Sequence, residues 1–316
     1  MDTDINHIEN KLCSLDINTN VIDLHNENDE NDENDENDEN DENDENDEND
    51  VNNENDEIDL SIWEHILKTL NYKGDTEIII KSKEIKQSKT TWKGKANQFE
   101  PRLLCKQDKN EIRPDIFKKY NVCILSIKNG EYLLTKTNIY HILEYTNTDI
   151  IKINKNKESL LLNIGKSESS LIDNLRYSRL FESDEYLGEP ILFGSLLSGR
   201  HRCSFTMKLG DKTINIKGSQ YETDGCYESK NNILLIECKT GNLKSFNIRQ
   251  LYYPYRVLYD EIETYKKTNN LVISKSIIPI FITVIKQIIH IWKFTFTNPL
   301  EFTSLKTISH KSYEFN

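Results

Sequence analysis

Apolar positions start to recur at about Ile58. Leu60, Trp63, Ile66, Leu67 and Leu70 follow Asp59 at intervals of three and four, which predicts an amphipathic helix. Val122 to Ile127 and Tyr132 to Leu134 flank Lys128-Asn129-Gly130 as the arms of a hairpin, and Ile139 to Tyr145 reads as helical. Ser167 is placed to cap a helix that carries Leu171, Ile172, Leu175, Leu180 and Phe181. Strands are expected at Arg202 to Leu209, Lys212 to Tyr227 and Ile233 to Lys239. After the turn Thr240-Gly241-Asn242, Ser245 can cap a helix over Phe246 to Tyr253; Pro254 should break or kink it before a second helical piece to about Lys266. Ile277 to Ile285, Ile288 to Phe296 and Leu305 to Phe315 alternate like strands.

Within this pattern the stretch Tyr221 to Lys239 concentrates the chemistry. Its polar break, Ser229 to Asn232, predicts a hairpin in which Glu228 faces Ile233. Counting outward from that pair sets Asp224 opposite Glu237 and Glu222 opposite Lys239, with all four on one face because side chains alternate with period two. Like charges across a ladder destabilise it unless a cation lies between them. Oxygen ligands of this kind suit Mg²⁺, which polarises phosphoryl oxygens and activates water. The chain has two further Glu-x-Lys triplets, Glu84-Ile85-Lys86 and Glu228-Ser229-Lys230, but only Glu237-Cys238-Lys239 ends a run of apolar residues, Ile233 to Ile236, as a central strand requires. A literal Pro-Asp at Pro114-Asp115 is followed by no such triplet at hairpin distance.

Asp224 followed by Glu237-Cys238-Lys239 resembles the signature of the PD-(D/E)xK nuclease superfamily, with Thr223 where the motif has proline. The order helix, three strands, helix, strand over residues 167 to 285 is the order of that family's core. The resemblance, closest to type II restriction endonucleases, implies an α/β fold: a mixed sheet flanked by helices forming a restriction-endonuclease-like core. It also implies Mg²⁺-dependent hydrolysis of double-stranded DNA at a specific sequence, leaving 5′-phosphate ends. Asp224, Glu237 and the Cys238 carbonyl would hold the Mg²⁺, and Lys239 would position the attacking water. Glu168 at the start of a helix and Gln250 after the lysine are further candidates by the same resemblance, as is Glu222 by register. A cognate DNA methyltransferase, a homodimer and a bacterial cytoplasm are the implied partners and setting.

Composition changes this picture in one respect. The chain of 316 residues carries 53 acidic and 40 basic side chains, for a net charge of -13. Residues 1–57 hold 24 of the acidic residues and one lysine, and seven Asn-Asp-Glu triplets run from Asn28 to Glu48. That tract is too polar to build a core and is expected to be a disordered tail. The remaining 29 acidic and 39 basic residues leave residues 58–316 at +10, a balance suited to a polyanion. Three units are therefore expected: the acidic tail 1–57, an N-terminal α/β module 58–163 that contacts DNA, and a nuclease domain 164–316. Arg249, Arg256 and Lys244 beside the second helix, Arg200 in Gly199-Arg200-His201-Arg202, and Arg102 at the end of a lysine-rich stretch are the candidate phosphate contacts.

Six cysteines form no Cys-x-x-Cys pair and seven histidines lack zinc spacing, which disfavours zinc chemistry and predicts reduced thiols. No apolar run reaches membrane-spanning length. The residues alone leave open a repair or recombination nuclease of the same fold, a DNA-binding module with a dead site, and a plain interaction protein.

Overall fold

The computed structural model describes residues 54–92, 99–146, 149–155, 158–160, 167–194, 199–269 and 275–316. The tail expected over residues 1–57 falls almost wholly outside them, and so does part of the lysine-rich stretch, residues 93–98. Among the described residues no helix is long and apolar enough to cross a membrane.

The chain forms an α/β structure with two large sheets and helices against them. In chain order the elements are α1 (Glu54–Thr69), β1 (Ile78–Lys81), α2 (Ser82–Ser88), α3 (Pro101–Leu104), α4 (Asp115–Tyr120), β2 (Cys123–Lys128), β3 (Glu131–Thr135), β4 (Tyr140–Ile142), β5 (Ile150–Ile153) and α5 (Glu168–Tyr177). There follow β6 (Phe193–Gly194), β7 (His201–Leu209), β8 (Lys212–Tyr221), β9 (Gly225–Glu228), β10 (Asn232–Thr240), β11 (Ser245–Asn247), α6 (Arg249–Asn269), β12 (Ser276–Ile285), β13 (Ile288–Phe296) and β14 (Leu305–Phe315).

One sheet has seven strands in the order β5-β14-β13-β12-β10-β9-β6. Inside it β10 pairs antiparallel with β9 and parallel with β12. A parallel pair needs a long crossover, and the 21 residues of α6 supply it. Burial on both faces explains the unbroken apolar run Ile233 to Ile236. Leu234 and Ile236 face α5 with Ile172 and Leu175, while Leu235 faces the other way and packs with Leu251 and Phe281.

The second sheet, β1-β3-β2-β8-β7, draws strands from both sides of residue 163. The segment expected as one strand over Lys212 to Tyr227 is two strands in two sheets, with Glu222 to Asp224 irregular between them. Cys123, Leu125 and Ile127 on β2 and Phe205 and Met207 on β7 share an apolar core with Tyr252 and Tyr253 of α6, so this helix is packed between the sheets. The opposite faces of β2 and β3 present Ile124 and Leu134 to Trp63, Ile66 and Phe117 of the N-terminal helices.

Three local expectations are corrected. Ile139 to Tyr145 contains β4, not a helix, because Phe246 and its neighbours offer it a strand partner: His141 pairs with Phe246 and Ile142 with Ser245. Ser245 is consequently in β11 and bonds Glu111 and the Asn110 N–H; the N–H of Arg249 is met instead by Asn247 Oδ1 at 3.0 Å. Pro254 lies inside an unbroken α6. Its ring removes only the N–H that would reach the Gln250 carbonyl, and burial of Leu251, Tyr252, Tyr253 and Tyr255 around it holds the helix. By contrast Ser167 caps α5, accepting the Ser170 N–H at 3.2 Å, although α5 stops at Tyr177 and a separate turn carries Leu180 to Glu182.

Phe246 ties the short strand to the large sheet by stacking on Phe281, with ring centroids 4.3 Å apart, and is fully buried. Phe246→Ala should cost about 3–5 kcal/mol, a loss that urea unfolding will read directly.

Candidate active site

The pairing of β9 with β10 sets Glu228 against Ile233 and ends at Gly225 against Ile236. Asp224, next in line, donates its N–H to the Ile236 carbonyl at 3.2 Å and accepts the Cys238 N–H on Oδ2 at 2.7 Å. Its carboxylate thus takes the ladder position that a strand neighbour would fill. A strand residue directs its N–H and C=O to the same side, so the Cys238 carbonyl lies on the Asp224 side of β10.

Glu237 points to the α6 face and is 6% exposed. Its Oε1 receives Lys239 Nζ at 3.0 Å and Gln250 Nε2 at 2.7 Å. Glu168, in the first turn of α5, accepts the Thr240 N–H on Oε1 at 2.9 Å and places Oε2 3.6 Å from Lys239 Nζ. Asp224 Oδ2 is also 3.6 Å from that ammonium. Three carboxylates from α5, the end of β9 and β10 therefore surround one lysine.

Burial dominates the Glu237 carboxyl and pushes its pKa up to about 8; Lys239 opposes the rise, while Asp224 and Asp108 add to it. For Lys239, burial works against the charge, but Glu237, Asp224 and Glu168 outweigh it and hold the ammonium well above the usual lysine range. Burial raises the Cys238 thiol, which lies on the α5 face.

Asp224, Glu237, Lys239, Glu168 and Gln250 are brought together. Glu222 is not: the chain leaves β9 at Asp224 for the other sheet, so Glu222 is exposed and pairs with Arg200 at 2.9 Å instead of facing Lys239. Arg256 is corrected as a DNA contact, since it is 4% exposed, bonded to Asp260 and laid over the rings of Phe205 and Tyr259. Arg249 donates to the Gln220 carbonyl and lies over Tyr253, joining β8 to α6. Arg200, Lys244 and Arg102 are exposed. Asp108, whose charge acts on Glu237, comes from the segment before α4, and no spacing in the sequence links the two. The other Glu-x-Lys triplets lie in α2 and in the β9–β10 turn, and Pro114-Asp115 opens α4.

Among the described residues no three His, Cys, Asp or Glu side chains form a ready-made metal shell. Mg²⁺ asks for less, one or two carboxylates completed by water and substrate oxygens. Gln250 Oε1 is buried without a donor among the described residues. Asp224 and Glu237 supply the one or two carboxylates that a hydrated Mg²⁺ takes.

Residues 135–314 match the family described as domain of unknown function DUF6997, and residues 61–134 match domain of unknown function DUF6996. The chain belongs to the DUF6997 family. Neither description carries an activity. No curated protein and no solved structure matches the chain. The DUF6997 segment contains every member of the carboxylate–lysine cluster, whereas Asp108 lies in the DUF6996 segment.

The raised Glu237 carboxyl makes stability depend on pH. A group whose folded pKa lies above its unfolded one stabilises fully below the unfolded value, and that contribution is lost as pH rises through the folded value. For Glu237 the window runs from about 4.5 to about 8. Glu237→Gln should therefore gain on the parent by more than about 1 kcal/mol across that window, read as the difference in melting temperature between pH 5 and pH 9.

Proposed function

We propose that the chain is a Mg²⁺-dependent nuclease of the PD-(D/E)xK type that hydrolyses phosphodiester bonds of double-stranded DNA. The observation that carries this reading is the convergence of Asp224, Glu237 and Glu168 on Lys239 at 3.6 Å or less. Stability alone does not ask for it, because a buried carboxylate among like charges is costly. Further support comes from the parallel β10–α6–β12 unit that carries the motif, and from α5 behind it, an order shared with that superfamily.

In this reading Asp224, Glu237 and the Cys238 carbonyl would hold Mg²⁺, which when bound polarises the phosphoryl oxygen and makes a hydroxide nucleophile accessible near neutral pH. The carboxylates around Lys239 favour its ammonium form, which suits a hydrogen-bond donor and not a general base. It holds the attacking water and offsets charge that builds on the phosphoryl oxygens. Gln250 Nε2 fixes the rotamer of Glu237, and Glu168 holds Lys239 from the α5 side. The narrower form of the proposal is a type II restriction endonuclease: sequence-specific, dimeric while it cuts both strands, and accompanied by a methyltransferase.

Purified protein incubated with unmethylated plasmid and Mg²⁺ should give discrete fragments with 5′-phosphate ends. Asp224→Ala and Lys239→Ala should each lower the rate by at least ~100-fold. Random or structure-dependent cutting would move the reading to a repair nuclease. An intact plasmid, or cutting that survives both substitutions, contradicts the proposal.

A further inference from the structure

Away from the carboxylates, the hairpin β7–β8 has one side whose composition needs a reason. Its inward side chains, among them Phe205 and Met207, are buried. On the outward side Arg202 lies across from Gln220, Lys208 from Thr213 and Thr206 from Asn215, with Ser204 and Lys217 completing the exposed surface. None of these side chains is acidic or apolar, whereas an ordinary solvated surface mixes both signs of charge. Arg200 and Lys212, at the two ends of the hairpin, are ion-paired with Glu222 and Glu77. The three cations between them have no carboxylate partner among the described residues.

Lysine on an edge strand can also serve to ward off stray strand pairing. That does not account for Lys217, which is on the inner strand β8. Nor is the β7 edge bare, since the Lys208 N–H is bonded to the Leu300 carbonyl.

We infer that the outward face of β7–β8 seats the sugar-phosphate backbone of duplex DNA. The inference rests on the reading of DNA as substrate and adds where it is held. Cations, hydroxyls and amides are the groups that contact phosphates and base edges, and the major groove admits a two-stranded ribbon. Ten residues of β8 span roughly 30 Å, the scale of a full turn of duplex. The strand ends at Tyr221, three residues before Asp224, so a short segment joins the proposed seat to the proposed cleavage site.

The test measures binding of a labelled duplex by the full chain in EDTA, where nothing is cut, as a function of salt. Arg202→Gln/Lys208→Gln/Lys217→Gln should make the slope of log affinity against log salt shallower by about 2.7, equivalent to ~40-fold between 50 and 200 mM salt. Thr213→Lys, on the same face, should steepen it by about 0.9, a gain that misfolding cannot mimic. Unchanged slopes in both variants overturn the inference, as does a change seen with single-stranded DNA or RNA but not with duplex. If the parent cuts plasmid while the slopes stay fixed, the nuclease reading stands and this seat falls. If the slopes change and the parent never cuts, the seat stands and the nuclease reading falls.

Discussion

A carboxyl buried on an inner strand sets the terms for the rest of the structure. Glu237 sits on β10, between a parallel and an antiparallel neighbour, where water is excluded and the charged form is disfavoured. Lys239, two residues on and therefore on the same face, supplies the nearest countercharge. One lysine cannot neutralise Glu237, Asp224 and Glu168 together. The arrangement is short of positive charge, and burial meets part of that shortage by favouring the protonated form of Glu237.

The structure spends several elements on holding this imbalance. The Thr240 N–H at the end of β10 holds Glu168, the end of β9 brings Asp224 onto the Cys238 N–H, and the first turn of α6 places Gln250 on Glu237. Helix α6 in turn is held between the two sheets by its buried tyrosines and by Arg249 and Arg256, which bond carbonyls of β8 and β7. Arginines that sequence spacing offers as phosphate contacts are thus partly committed to joining the sheets. Their removal would disturb the site through packing and not through lost affinity.

How much of this was readable in advance follows from what each element depends on. The β9–β10 register was, because the loop Ser229 to Asn232 and the apolar run Ile233 to Ile236 are local signals. The three last strands were readable from local signals too, being runs rich in isoleucine and aromatic residues. Three features were not. β4 and β11 exist only because residues more than a hundred positions apart pair with each other. The switch of sheets at Glu222 to Asp224 has no local mark, so period-two counting was carried through a place where the strand had ended. Asp108 adds its charge effect on Glu237 from a segment with no motif at all. Pair contacts between distant segments override local propensity in each case.

The central claim, that the carboxylates around Lys239 form a cation site, is tested most directly by titrating Mn²⁺ as a stand-in for Mg²⁺ into the full chain and following its paramagnetic signal. Saturable binding that is lost in Asp224→Asn and in Glu237→Gln, but kept in Glu222→Gln, is the predicted result. Binding that none of these substitutions alters, or no saturable binding up to millimolar Mn²⁺ with duplex present, would contradict it.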